Sequence, residues 1–345
     1  MAKSKKINIL LTGAHGYIGT RLAQLLHKKY KIIGTDIGFF KNCILGNYKD
    51  PIKIFKSDLR NFNEKLLKNI DTVIHMGALS NDPSSELNHQ ITKNINYEST
   101  IKFAKLCKKN GVKRFIFSSS CIMYGSQTSK QVNEQSTPSP KTIYAKSKVW
   151  AEKNLKKLAD KNFSPVYLRN GTIYGYSPRM RFDTVLNDFC LQAFSNKKIF
   201  ILSKGEQYRP VIYLDDVVKC IEIIINAPSV KIHNQAFNIG SDKNNIKILN
   251  LAKMVKKISP NIELEVLNEE NHDNRSYIAS FKKIKKVFPK LKFSHDYKLN
   301  LKFLIRIMEQ NKKKIGIENY SKFIRLKWLK HLKEKKIINK NLELK

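Results

Sequence analysis

The chain has 345 residues, 41% of them hydrophobic, and carries 65 Lys and Arg against 28 Asp and Glu, a formal net charge of +37. That length allows one large α/β domain or two that share a cleft, and no apolar run approaches the roughly 18 residues of a membrane span. Cys43, Cys107, Cys121, Cys190 and Cys220 are scattered and never form C-x-x-C, which argues against a disulfide framework or a zinc site, so no metal is expected.

Met1 to Lys6 hold no apolar stretch and lead straight into the first strand, so a cytoplasmic protein is expected. The lysines are spread along the chain and dense only at Lys312–Lys314 and from Lys330 to Lys340. Such a spread reads as a solvated surface and not as a nucleic-acid face, and it would attract an anionic substrate.

The first organised stretch runs from Ile7 to Asp36. A short apolar strand, Ile7–Leu11, is followed by Gly13, Gly16 and Gly19 in the spacing G-x-x-G-x-x-G. A helical pattern then places Ile18, Leu22, Leu25 and Leu26 on one face, and a second apolar run ends at Asp36. This is a βαβ dinucleotide half-site. Gly13 allows the sharp turn, Gly16 leaves room for a pyrophosphate, and Gly19 lets the helix pack close. The free N–H groups of the helix N-terminus, with Tyr17 and Ile18 in its first turn, face the phosphates. Asp36 can accept both ribose hydroxyls and repels a 2′-phosphate, so NAD is expected in preference to NADP.

Strand and helix continue to alternate. Ile52–Phe55 leads to Asp58 and Leu59, which would flank an adenine. Thr72–His75 runs into Gly77 and Ala78, small enough for backbone to approach a flat ring, with Asn81 and Asp82 in the loop beyond. His75 reads as a packed strand-end residue and not as a base. The stretch from Ile91 to Asn110 is helical, and Asn96 on it is placed to hold the neighbouring loop. Phe115–Phe117 is a buried strand running into a hydroxyl-rich turn, Ser118 to Gly125, at the carboxyl end where open α/β sheets carry their active residues. A loop from Ser136 to Pro140 opens a helix on which Tyr144 and Lys148, four apart, share one face. Val166–Leu168 is a further strand, followed by Arg169 to Gly175.

Beyond this point strict alternation weakens. A helix near Val185 to Phe194, a short strand at Phe200–Leu202 and a strand-to-helix segment from Gln207 to Asp216 are expected. Ala236–Gly240 returns to the main sheet, and helices follow around 247–258, 281–288 and 321–336. The expected division is a Rossmann domain over 1–175, with return segments near 211–240. A substrate lobe with a basic C-terminal helical tail occupies 176–345.

With TGAHGYIG, SSSCIMYG and YAKSK in this order, the chain resembles the extended short-chain dehydrogenase/reductase family over roughly residues 7 to 300. More narrowly, it is similar to the NAD-dependent sugar-nucleotide epimerases and dehydratases. The resemblance implies an α/β fold, a doubly wound, mostly parallel Rossmann sheet of seven strands with a smaller C-terminal α/β substrate lobe, and a homodimer. It implies NAD held by Gly13, Gly16, Tyr17, Ile18, Gly19, Asp36, Asp58, Leu59, Gly77, Ala78, Asn96, Tyr144 and Lys148. It implies Tyr144 as general base, its phenolate stabilised by Lys148 and the nicotinamide, with Ser120 bonding the reacting sugar hydroxyl.

Transient oxidation of that hydroxyl to a keto sugar, followed by reduction on the other face, would make the chain an epimerase. In the dehydratase branch an Asp-Glu pair follows the Ser or Thr, whereas here Cys121 and Ile122 stand in its place. Many epimerases carry Asn at Thr172. Arg209 matches the arginine that clamps the substrate diphosphate. Asp273 matches the family acid of the C-terminal substrate motif, and Arg275 stands in for an arginine that is Glu270 here. A nucleotide-diphosphate sugar is thus the expected partner. Two alternatives share the fold: a keto-sugar-nucleotide reductase that exchanges its cofactor, and a non-catalytic NAD-sensing or RNA-binding scaffold.

Overall fold

Ile9, Leu10 and Leu11 are all fully buried, so the first strand is covered on both faces, as a parallel sheet between helix layers requires. The structure is a computed structural model and describes residues 6–267, 269, 275–316 and 320–345. In chain order its strands are β1 (Asn8–Thr12), β2 (Lys31–Asp36), β3 (Lys53–Lys56), β4 (Thr72–His75), β5 (Arg114–Ser120), β6 (Gln127–Val132) and β7 (Ser164–Asn170). There follow β8 (Thr172–Tyr174), β9 (Lys198–Ile201), β10 (Tyr208–Tyr213), β11 (Gln235–Ile239), β12 (Asn245–Lys247), β13 (Glu263–Val266) and β14 (Tyr277–Ala279).

The central sheet has the order β11-β7-β5-β4-β1-β2-β3. Every neighbouring pair in it is parallel, so the sheet is wholly parallel where a mostly parallel one was expected. Among the described strands the antiparallel pair, β10 with β12, falls outside it. From β1 the chain winds one way through β2 and β3, then restarts on the other side at β4. That reversal leaves a crevice beyond the carboxyl ends of β1 and β4, the place where such sheets bind ligands.

Alternate residues of β1 feed the two layers. Ile9 and Leu11 pack with Leu22 and Leu26 of helix Tyr17–Leu26 and with Ile221 and Ile224 of helix Leu214–Asn226. Leu10 faces the other way, with Phe103 of helix Ser99–Lys109 and Leu155 of helix Ile143–Lys156. Leu25, expected on the apolar face of the first helix, is 39% exposed; Ala23 takes the buried position beside Leu22 and Leu26.

The expected single helix over Ile91–Asn110 is interrupted. His89–Lys93 and Ser99–Lys109 are α-helical, and Asn94–Glu98 between them forms a π-turn. A smaller apolar cluster, including Phe182, Phe189, Leu251 and Leu304, gathers helices Val185–Asn196, Ile248–Ile258 and Tyr297–Gln310. Helix Arg325–Glu334 does not trail from this lobe: Leu329 and Leu332 pack on Phe39 and Leu79 of the nucleotide half.

Beneath β7, Arg169 and Glu152 form an ion pair at 2.7 Å with side chains 4% and 5% exposed. Tyr124 Oη accepts a further bond from the guanidinium at 2.9 Å. Replacing one partner leaves the other charge buried. Glu152→Ala is expected to lower stability by about 3–5 kcal/mol, read as a fall in the urea midpoint.

Candidate active site

The glycine turn forms one wall of the crevice. Gly13 has φ +70°, and a Cβ there would lie 2.8 Å from the Gly77 nitrogen. Two loops therefore meet with no space for a side chain. Thr12 Oγ1 joins them, accepting from the N–H groups of Met76 and Gly77 at 3.2 and 3.1 Å. Helix Tyr17–Leu26 starts from Gly16 with no side-chain cap, so its first N–H groups remain for a ligand. A Cβ on Gly19 would lie 2.2 Å from the Gly13 carbonyl oxygen; the close approach that Gly19 permits is to the turn itself.

Asp36 ends β2 and lines the same cavity. Its carboxylate is held by backbone N–H donors, from Gly38 at 2.7 Å and from His15 at 3.1 Å. Gly13, Gly16, Tyr17, Ile18, Gly19, Asp58, Leu59, Gly77 and Ala78 line the cavity with it. These groups fit a dinucleotide: N–H donors where phosphates would lie, an acid where a ribose would lie, and space that a Cβ would fill. Asp58 is already engaged, with Arg60 Nη2 at 2.6 Å.

Asn96 stands behind this wall, not in it. It is 1% exposed, and its side chain accepts from Leu79 N at 2.8 Å and donates to Leu79 O at 3.0 Å. It also donates to Ser147 Oγ at 3.3 Å. The expectation that it binds cofactor directly is thus corrected: its polar atoms are used to fix the loop after β4 to the helix bearing Tyr144. The π-turn carries it to that place. His75 is likewise spent, with Thr12 and Thr100 hydroxyls at 2.9 and 3.0 Å, and burial pulls its imidazole down to about 3.

A second cavity of about 730 Å³ adjoins the first; that size suits a bound small molecule. Ser120, Ile122, Tyr144 and Lys148 line it, together with Asn81, Thr172, Arg209 and Arg275. The structure thus brings together residues more than 150 positions apart in sequence, Ser120 and Arg275 among them. Arg209 donates to the Arg275 carbonyl, and Arg275 pairs with Asp82 at 2.8 Å. Asn81 donates to Asp183 at 2.7 Å. Asp273 and Glu270 lie outside the described residues.

Electrostatics at Tyr144 differ from the simple expectation of a lowered phenol. Burial, and then the Asp82 carboxylate, push it up to about 12; Arg181 and a hydrogen bond with Ser120 pull the other way. Lys148 Nζ instead donates to the Ser118 carbonyl at 2.8 Å and lies 5.6 Å from the Tyr144 ring centroid. Desolvation pulls Lys148 from 10.5 to about 8. Below about 8 the folded and unfolded chains both hold its proton. Between about 8 and 10.5 only the unfolded chain does, so stability rises with pH across that window. Relative to Lys148→Met, the wild type is expected to gain on the order of 3 kcal/mol between pH 7 and 10.5, measured by urea unfolding at each pH.

Sequence reasoning missed several residues that the fold delivers. Arg181 lines both cavities and donates to Asp183 at 2.7 Å. Asp188, pushed up to about 6 by burial, faces the second cavity beside Gln192. Arg325 reaches the first cavity from near the chain end. The run Pro178-Arg179-Met180-Arg181-Phe182-Asp183 was the available signal, since two arginines and an acid within eight residues of the strand-end Gly175 invite a site. For Arg325 there was none. Among the described residues no cluster could hold a metal ion, and no helix is long and apolar enough to cross a membrane.

The family model described as the NAD dependent epimerase/dehydratase family matches residues 9–240. An uncharacterized UDP-glucose epimerase of Bacillus subtilis is 30% identical over 266 residues, which cover 73% of this chain and 82% of the relative. A dTDP-D-glucose 4,6-dehydratase of Dictyostelium discoideum is also 30% identical, over 280 residues; these cover 73% of this chain but span only 62% of that protein. Among solved structures, a UDP-glucuronic acid 4-epimerase from Bacillus cereus, in complex with UDP-glucuronic acid and NAD, superposes with a TM-score of 0.76. It is 25% identical and covers 88% of this chain and 99% of its own. The wholly parallel sheet, the glycine turn and the matched stretch agree: the chain belongs to the NAD dependent epimerase/dehydratase family, and NAD is its cofactor.

Proposed function

We propose that the chain is an NAD-dependent nucleotide-sugar epimerase, acting by transient oxidation of a sugar hydroxyl. The observation that carries this reading is the composition of the second cavity around Ser120. Tyr144 and Lys148 stand beside it, and the side chain that follows Cys121 into the cavity is Ile122, which cannot protonate a leaving hydroxyl. Cys121 is itself fully buried, with its thiol on the Arg169 carbonyl at 3.1 Å. At the two positions that follow Ser120, the residues present therefore support oxidation and supply no acid for loss of water.

Bound NAD supplies the reversible two-electron oxidation and a positive charge at its nicotinamide. Ser120 orients the reacting hydroxyl, and Tyr144 takes its proton and returns it. A phenol at about 12 is almost wholly protonated at neutral pH, so formation of the phenolate that takes the proton is tied to the oxidised, cationic state of the site. Lys148, fixed to Ser118, holds the nicotinamide ribose. Arg209 and Arg275 hold the substrate diphosphate; Arg is suited to such bidentate contacts. Asn81 and Thr172 face the sugar, and the reading includes a cytoplasmic homodimer.

UDP-sugars are the first substrates to test, since the Bacillus relatives carry that chemistry in their names. Purified protein is incubated with UDP-glucose or UDP-glucuronic acid without added NAD, and the product is read by proton NMR. An epimer of unchanged mass supports the reading. A 6-deoxy-4-keto product would make the chain a dehydratase, and turnover of keto sugars only with added NADH or NADPH would make it a reductase.

A further inference from the structure

Residues 325–345 lie beyond the family-matched stretch, yet they cover the nucleotide cavity. Trp328 Nε1 donates to the Phe39 carbonyl at 2.7 Å. Arg60 reaches up from the adenine edge and donates to the Asn341 and Leu342 carbonyls at 2.6 and 2.8 Å. Leu329, Leu332, Ile338 and Leu342 complete an apolar seam against Phe39 and Leu79. The segment is a strap, fastened at both ends.

At its start is Arg325, 2% exposed, whose guanidinium lies over the Phe40 ring at 4.1 Å. Neither of its terminal nitrogens has a hydrogen-bond partner, and both Arg325 and Phe40 line the nucleotide cavity. A buried guanidinium with unbonded terminal N–H groups is costly, and an anion in the cavity would remove that cost. Burial, and then the nearby Arg181, pull Arg325 down to about 10, as expected of a cation short of counter-charge. Asp183 and Asp36 are the carboxylates near enough to favour its charge, and neither is hydrogen-bonded to its terminal nitrogens. Asp36 is held by the Gly38 and His15 N–H groups. Asp183 is already shared by Arg181 Nε, Asn81 Nδ2 and the Arg325 backbone N–H, at 2.7, 2.7 and 3.1 Å.

Position identifies the anion. Along the cavity Asp36 marks the adenosine ribose. Arg181 marks the opposite end, because it also lines the Tyr144 cavity. Arg325 is bound through Asp183 to the Arg181 end and shares its cavity with Gly13, Gly16 and Asp36. Between the adenosine ribose and the nicotinamide a dinucleotide carries its diphosphate. We propose that Arg325 grips the diphosphate of NAD from the side opposite the glycine turn, and that the strap of residues 325–345 thereby locks the cofactor in place. The proposal rests on NAD as the family's cofactor and is independent of the epimerase reading.

The test is the exchange of bound NAD against an excess of isotopically labelled NAD, followed by mass spectrometry on the whole protein. Wild type is expected to exchange slowly. Arg325→Met, which keeps the length and the apolar stem, is expected to exchange about 10- to 100-fold faster, the worth of a charge-assisted bond. Arg325→Lys should retain most of the slow exchange.

Amide hydrogen exchange of the wild type gives a second readout that needs no variant. NAD should slow exchange in helix Arg325–Glu334. Wild-type exchange rates in Arg325→Met, or no protection of that helix by NAD, would overturn the proposal. A wild type that binds no NAD would overturn both this proposal and the cofactor assignment it rests on.

Discussion

Tyr144→Phe is expected to lower kcat by about 10²- to 10⁴-fold, the usual worth of a positioned acid–base group, and to leave bound NAD in place. The substitution removes one oxygen from a half-buried residue whose helix is fixed by other contacts. Thr142 caps that helix at Ala145 N, at 3.2 Å, and Ser147 meets Asn96. Neither depends on the phenol. KM for the nucleotide sugar should change little, because Arg209, Arg275 and Thr172, which line the same cavity, are left in place.

Burial and Asp82 hold Tyr144 up, so wild-type kcat should rise as pH increases from neutrality, and Tyr144→Phe should flatten that rise. Steady-state rates between pH 6 and 9 check both points. A Tyr144→Phe enzyme within a few-fold of wild type would remove Tyr144 from the chemistry.

Gly19→Ala is expected to destabilise the protein by about 1–3 kcal/mol and to strip it of NAD. A Cβ at that position would stand 2.2 Å from the Gly13 carbonyl oxygen and 3.0 Å from Ala14 Cα. Both are backbone atoms, which cannot rotate aside. Helix Tyr17–Leu26 must therefore back away from the turn, taking its unbonded N–H groups away from the phosphates. Gly111→Ala is the control: unlike the helical Gly19 it sits at positive φ, +79°, but a Cβ there would meet nothing within 4 Å. It should lose only conformational ease and keep its NAD. Urea unfolding and measurement of released NAD distinguish the two variants.

The nucleotide half was legible because every local signal there agreed. An apolar strand, three glycines and an acid at a fixed distance each dictate the same βαβ unit, and β1, the turn and β2 formed where the pattern put them. Elsewhere the signals were weaker or distant. Helix Tyr297–Gln310 was overlooked, although Leu301, Leu304 and Met308 are buried at helical spacing; interspersed lysines masked the stripe. The π-turn at Asn94–Glu98 has no local code that separates it from the helices on either side.

The environment of Tyr144 depends on Asp82 and Arg181, which only the tertiary fold places nearby. Arg325 is the extreme case. Its backbone meets Asp183 across 142 positions, and its ring partner Phe40 belongs to the other half of the molecule. A basic tail looked like solvated surface because composition does not reveal which of its cations are buried.

The measurement that bears most directly on the central claim follows the hydrogen on the inverted carbon. UDP-glucose deuterated at carbon 4 is turned over in ordinary water by protein carrying only its own NAD, and the product is examined by mass spectrometry and NMR. The expected product is the carbon-4 epimer with deuterium retained on that carbon. A product lighter by one water, or an epimer that has exchanged its deuterium with solvent, would contradict it.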